Sequence, residues 1–269
     1  MVNWLLQTDI FDENLDELKS EIDKQRHVYD EVSYSPFVSG KDYIKGYGGA
    51  VVFYGSLNFG QQILRETSWI PGVYCDLPQY LCTNYYPKLR DYLFNSDFCM
   101  LPLGCVDYSR VEHLSDEGLV FVRPNDGFKS FTGQLVDLSD KNWLNQLKAF
   151  ESDETSLVLI SSPANIRREW RLVVTDKVIS GSQYKEDGKI KESSDVPQEV
   201  IDYTNMVLKK TGFRPEPIWT MDVCECGDEL SVLEIGCFSC AGLYASKLGP
   251  IVEEASRLAQ QDWDEIYAI

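Results

Sequence analysis

Residues 121–133 read FVRPNDGFKSFTG. A β-type run from Gly118 to Val122 empties into a turn that carries a cation, two glycines, a second cation and two hydroxyls. Arg123 and Lys129 can neutralise phosphate oxygens. Gly127 and Gly133 lack a Cβ, so backbone N–H groups there can approach an anion closely. Ser130 and Thr132 add short donors. These features describe a phosphate-covering loop between two strands, as an ATP-dependent enzyme needs. An ordinary hairpin loop can hold the same residues, so the surrounding chain has to decide.

Working outward, strand-like runs come in pairs: 118–123 with 132–138, then 156–161, 169–175 and 177–184. The run Leu157 to Ile160 ends in Ser161-Ser162-Pro163, a small-residue connector whose backbone can read an adenine edge or serve as a plain loop. Before the run LVV stands Ile166-Arg167-Arg168-Glu169-Trp170-Arg171. In a strand Glu169 and Arg171 share a face. Arginine there is a fork for a transferring phosphoryl group or a carboxylate, or one half of an ion pair on an exposed sheet.

The segment IWTMDVCECGDELSVLEIG reads as a β-hairpin. With Gly227, Asp228 and Glu229 as a three-residue turn, Asp222 faces Glu234, with Cβ atoms about 4.5–5.5 Å apart. Two carboxylates so placed repel unless a divalent cation joins them, and hard oxygen ligands suit Mg²⁺. The competing reading is a solvated hairpin with two surface acids. The apolar neighbours in MDV and VLEIG weigh toward the metal.

Charge narrows the partners. Lys plus Arg number 25 and Asp plus Glu 43, a net charge of −18. Such a field repels nucleic-acid backbones and anionic membranes, so no nucleic acid and no membrane are expected as partners. ATP is also an anion, so a site for it must gather its own cations and a metal. MVNWLLQTDIFDEN lacks the basic and apolar regions of a secretory signal, and no run approaches the ~20 apolar residues of a membrane span. The eight cysteines are then reduced thiols of a cytoplasmic protein.

The N-terminal part alternates strand and helix, which suggests a small α/β unit with a parallel sheet. VNWLLQ opens it; Asn14 and Glu17 resemble a capping box for a helix to about Val32; Ala50 to Tyr54 is a buried strand, followed by a helix from Phe59 to Glu66 and another over 83–95. Further on, Ser139 caps a helix from Asp140 to Phe150, one from Pro197 to Lys210 ends at Gly212, and a last one runs from about Pro250 to Glu265. KEDGKIKESSDV, 185–196, is expected as an exposed loop.

In order, FVRP, GFKSFTG, LVLISS, EWR, MDV and LEIG resemble the ATP-grasp superfamily. The tail EIGCFSCAGLY is similar to that of a divergent ATP-grasp clade of phage and bacterial proteins, which also includes a eukaryotic translation-initiation assembly factor. The resemblance covers roughly residues 45–255. It implies an α/β (α+β) fold with two lobes clasping ATP, about 97–154 and 155–269, preceded by a Rossmann-like N-terminal domain over 1–96. It implies that Arg123, Gly127, Lys129 and Ser130 meet ATP phosphates, that Ile160, Ser161 and Ser162 line the adenine pocket, and that Glu169 holds ribose or orders the site. Arg171 would stabilise the transferred phosphoryl group; Asp222 and Glu234 would hold Mg²⁺. The implied activity is an ADP-forming carboxylate–amine ligase working through an acylphosphate, on substrates that include a peptide or protein.

One departure stands out. Where many members have Glu-x-Asn, this chain has Glu234-Ile235-Gly236, and glycine offers no side-chain ligand. A second expectation is therefore an ATP-binding assembly or regulatory protein without turnover. A zinc module from Cys224-x-Cys226 and Cys237-x-x-Cys240 is set aside, because the hairpin register leaves Cys237 beyond the paired region. His27, placed in the first helix, and His113 have no visible partner for base catalysis.

Overall fold

The computed structural model describes residues 1–35, 46–127, 131–140, 142–151 and 153–267. In chain order its main elements are β1 (Asn3–Gln7), α1 (Leu15–Lys24), β2 (Val28–Val32), β3 (Val51–Tyr54), α2 (Leu57–Glu66), β4 (Pro71–Gly72), α3 (Cys82–Leu89), β5 (Phe98–Pro102), α4 (Tyr108–Val111), β6 (Leu119–Pro124), β7 (Gln134–Asp137), α5 (Trp143–Phe150), β8 (Leu157–Ser161), β9 (Ile166–Val174), β10 (Val178–Glu186), β11 (Lys189–Ser193), α6 (Gln198–Thr211), β12 (Trp219–Cys226), β13 (Glu229–Cys237) and α7 (Leu248–Tyr267). They fall into two compact units. The first holds Met1–Asp76, Arg168–Val223 and Glu234–Ile269; the second holds Leu77–Arg167 and Cys224–Leu233.

In the first unit β1 to β4 form a parallel sheet in the order β2-β1-β3-β4. Parallel strands covered on both faces read as unbroken apolar runs, and Trp4 to Leu6 and Val51 to Tyr54 are all buried. Trp4, Leu6 and Val52 share a core with Leu18 and Ile22 of α1 and with Ile251, Val252 and Ala255 of α7. The Trp4 indole N–H donates to Ser256 Oγ at 3.0 Å. Ser56 caps α2 by accepting from Phe59 N. The unit's other sheet has the order β11-β10-β9-β12-β13.

In the second unit β5, β8, β6 and β7 form an antiparallel sheet in that order. Its inward residues Val120, Val122, Val158 and Ile160 pack with Trp143 and Leu147 of α5. Gly133 has a packing reason of its own: a Cβ there would lie 2.6 Å from the Phe121 ring.

Several local expectations are corrected. The first helix stops at Lys24, not near Val32, because Arg26 adopts a left-handed φ of 62° and Val28–Val32 leaves to pair in parallel with β1. His27 therefore lies between the helix and β2. Asn14 forms no capping bond; its Nδ2 donates instead to Tyr244 O at 2.6 Å. Ser139 does not cap α5, which begins at Trp143; its N–H donates to Asp137 Oδ1. The expected loop 185–196 contains a hairpin. Asp187 (φ 47°) and Gly188 (φ 73°) both take the left-handed conformation of a two-residue turn and join β10 to β11. The β12–β13 connection is Gly227-Asp228, with Glu229 already in the strand, one residue shorter than expected.

The His27 Nδ1 accepts from Val2 N at 3.2 Å. Burial, then the nearby chain terminus, lowers its pKa below the ordinary 6.5. The unfolded chain therefore takes up this proton first as pH falls. The stabilisation is whole above about pH 6.5 and is lost below it. Urea melts at pH 7.5 and 5.5 are expected to show a smaller loss of stability for His27→Gln than for the parent chain.

Candidate functional site

Alternation along β9 buries Trp170 and Leu172 on one side of the strand and turns Glu169 and Arg171 to the other. Neighbouring strands supply what meets them. The β10 register sets Ser182 beside Arg171 and Lys185 beside Glu169, with Tyr184 on the intervening bulge. β12 supplies Asp222.

Arg171 grips Asp222 as a fork. Nε donates to Oδ1 and Nη2 to Oδ2, both at 2.8 Å, and Nη1 donates to Gly242 O at 3.2 Å. The Asp222 side chain is 2% exposed and that of Arg171 14%. Burial of two charges at this depth is tolerable because the fork is bidentate and Nη1 has an acceptor of its own in Gly242 O. The Tyr184 hydroxyl donates to Glu169 Oε2 at 2.7 Å and lies 3.3 Å from Asp222 Oδ2. Lys185 Nζ holds the other Glu169 oxygen at 3.1 Å. The Tyr184 and Tyr244 rings stack at 4.8 Å and 10°, and the guanidinium carbon lies 5.6 and 5.1 Å from their centres. Tyr244 has a left-handed φ of 49°, and the Asn14 bond to its carbonyl holds it there.

The electrostatics are those of a crowded anionic cluster. Burial alone lowers the Arg171 pKa, but the charge and hydrogen bonds of Asp222, with Tyr244 and Glu234 behind them, raise it well above its ordinary value. Burial, then the Asp222 and Glu169 carboxylates, push the Tyr184 hydroxyl far up, so it stays a neutral donor. Burial raises Tyr244 too, with Arg171 opposing and Asp222 and Glu234 adding to the shift. Glu169, Asp222 and Glu234 together bring three carboxylates against the two cations Arg171 and Lys185. The cluster carries surplus negative charge, and both oxygens of Asp222 and of Glu169 already have partners in Arg171, Tyr184 and Lys185.

Of the residues singled out from sequence, Glu169, Arg171, Asp222 and Glu234 thus belong to one cluster in the first unit. The others that the structure describes belong to the second. Arg123 is on β6 opposite Leu159, partly buried. Among the described residues, Leu77 Cδ2 lies 3.9 Å from the place of a Cβ at Gly127. Lys129 and Ser130 lie outside the described residues. The Ile160 side chain is fully buried in the core, Ser161 is buried with its Oγ 3.4 Å from Asn95 Nδ2, and Ser162 is partly exposed. Sequence reading passed over Tyr184 and Lys185. The polar residues at the end of a β10 that pairs with the Glu-x-Arg strand were the available signal.

Similarity to known proteins decides the family. Residues 105–251 match a family model described as an ATP-grasp domain, family 2 of its clade. The chain belongs to this family. No curated protein matches it. Among solved structures, D-cycloserine synthetase DcsG is 13% identical, with a TM-score of 0.64 over 96% of this chain and 100% of that one. D-alanine–D-alanine ligase from Bacillus anthracis is 14% identical, with a TM-score of 0.61 over 98% and 95%. ATP-grasp ligase PsnB, solved with precursor peptide PsnA2 and AMPPNP, is 13% identical, with a TM-score of 0.60 over 97% and 98%. At these identities the likeness is one of fold, and it confirms the mixed α/β ATP-grasp architecture. Among the described residues no helix is long and apolar enough to cross a membrane.

Because the Arg171–Asp222 pair of this ATP-grasp protein is buried, removing one partner strands a charge. Arg171→Met is expected to lower unfolding free energy by about 3–5 kcal/mol. The double variant Arg171→Met/Asp222→Leu should recover part of that loss, a coupling that urea denaturation of all four forms would measure.

Proposed function

We propose that this protein is an ATP- and Mg²⁺-dependent ligase that joins a carboxylate to an amine through an acylphosphate and releases ADP and phosphate. The observation that carries the reading is the buried Arg171–Asp222 fork, set among Glu169 and Glu234 on adjoining strands of an ATP-grasp fold. A fixed guanidinium can stabilise charge on a transferring phosphoryl group, and it needs little reorganisation because its carboxylate partner already orients it. Asp222 and Glu234 would hold the metal, which neutralises phosphate charge when bound. Glu169 would order the site, with Tyr184 and Lys185 fixing its two oxygens. Arg123, Gly127, Lys129 and Ser130 would contact ATP phosphates, and Ile160 to Ser162 would line the adenine pocket through their backbone.

The substrates proposed are an acid and an amine, with a peptide or protein as one of them. PsnB, which shares the fold, was solved with a precursor peptide, and this supports the idea. A cytoplasmic location fits a supply of ATP.

A second reading is an ATP-binding assembly protein without turnover, and Gly236 favours it. A Cβ at 236 would fall 2.8 Å from Thr220 Oγ1, which donates to Gly236 O at 3.1 Å. A side-chain metal ligand at 236 therefore has no room while Thr220 keeps this position.

Calorimetry with ATP and Mg²⁺, followed by ADP release in the presence of amino acids and peptides, separates the readings. Asp222→Asn and Glu234→Gln are expected to reduce Mg²⁺-dependent ADP release by about 100- to 1,000-fold. Arg171→Lys should lower kcat more than it raises KM. Binding without any product in every acid and amine mixture would favour the assembly role. Absence of ATP affinity would end both readings.

A further inference from the structure

Three cysteines meet on the first unit. The Sγ atoms of Cys75, Cys237 and Cys240 all lie within 4.8 Å of one another. Cys75 is buried, the other two are partly buried, and none of the three is in a disulfide. They come from separate parts of the chain. Cys75 follows β4, Cys237 ends β13, and Cys240 closes the one-turn 3₁₀ helix Phe238–Cys240.

The surroundings hold the three thiols in place. Tyr74 N donates to Ser239 Oγ at 2.9 Å, Ser239 N returns to Tyr74 O at 3.3 Å, and Gly55 N donates to Ser239 O at 2.9 Å. The segment before Cys75 is thereby stitched to the turn between Cys237 and Cys240. Gln61 Nε2 donates to Cys75 O at 3.2 Å and lies 3.7 Å from its sulfur, an amide donor suited to a sulfur bearing negative charge. Gly60 makes the space. A Cβ there would sit 3.2 Å from Cys240 Sγ, 3.2 Å from Val73 and 3.3 Å from Phe53.

We propose that Cys75, Cys237 and Cys240 form a zinc site with three protein ligands. Cys-x-x-Cys plus one distant cysteine is a ligand spacing of such sites. Tetrahedral Zn–S bonds of about 2.3 Å place sulfurs about 3.8 Å apart, so thiols already within 4.8 Å need at most small movements. Each ligand binds as thiolate and releases its proton to solvent. The fourth position is left to water or an external ligand. The three proposed ligands are all sulfurs, soft donors unlike the carboxylate oxygens of the Arg171 cluster.

The test uses the full chain, reduced and freed of metal, titrated with Co²⁺ and then Zn²⁺. The expected result is a thiolate-to-cobalt charge-transfer band that saturates at one equivalent and is displaced by one equivalent of Zn²⁺. Cys75→Ser, Cys237→Ser and Cys240→Ser should each weaken binding by about 100-fold or more, beyond an outer-shell change, whereas Cys226→Ser should not. Alkylation of the parent chain read by mass spectrometry needs no variant. Zn²⁺ should protect these three thiols and leave exposed Cys105 reactive. No band, a band that survives Cys75→Ser in a folded variant, or alkylation unchanged by Zn²⁺ would overturn the assignment.

Discussion

The Arg171–Asp222 fork is the interaction on which the rest of the first unit's chemistry depends. Two opposite charges taken from water are stable only if their geometry is good and their spare valences are filled. That requirement fixes more than the pair. Gly242 has to offer a carbonyl, two tyrosine rings have to flank the guanidinium, and the Tyr184 hydroxyl has to stand between two carboxylates. Tyr244 meets this demand from a left-handed backbone, and Asn14 is used to hold it rather than to cap a helix. A helix cap contributes about 1 kcal/mol, a modest sum to give up for a restraint on the pocket.

Crowding of like charge sets the character of the cluster. Three carboxylates against two cations leave it anionic, and the protein as a whole is anionic as well. An anion approaching such a cluster is repelled unless its charge is compensated. The cysteines make the contrast clear. Three thiols gather at one place and three carboxylates at another, one set of soft donors and one of hard.

Long, strongly patterned stretches were legible in the sequence. The runs VNWLLQ and Ala50 to Tyr54 read as an opening strand and a buried strand, as found, and the order from FVRP to LEIG led to the ATP-grasp fold that the comparisons bear out. Glu169 and Arg171 follow directly from strand alternation. The rest depended on contacts that no local pattern carries. Tyr184 reaches Glu169 because of a bulge in β10, and Cys75 joins Cys237 from across the chain, which is why the zinc reading looked to Cys224 and Cys226 instead. Errors of extent were local: a left-handed Arg26 ended α1 early, and Asp187-Gly188, an available two-residue turn signal, was passed over in favour of a loop.

The packing of α7 has a consequence for synthesis on the ribosome. Trp4 and Leu6 find part of their cover in Ile251, Val252 and Ala255. At about 5–20 residues per second, the growing chain carries its first parallel strand for roughly 12–50 s before that cover is made. During that wait an apolar sheet face is open to the wrong neighbours. Slow elongation or crowded expression should therefore burden this protein more than one whose N-terminal strands are sealed by the next helix.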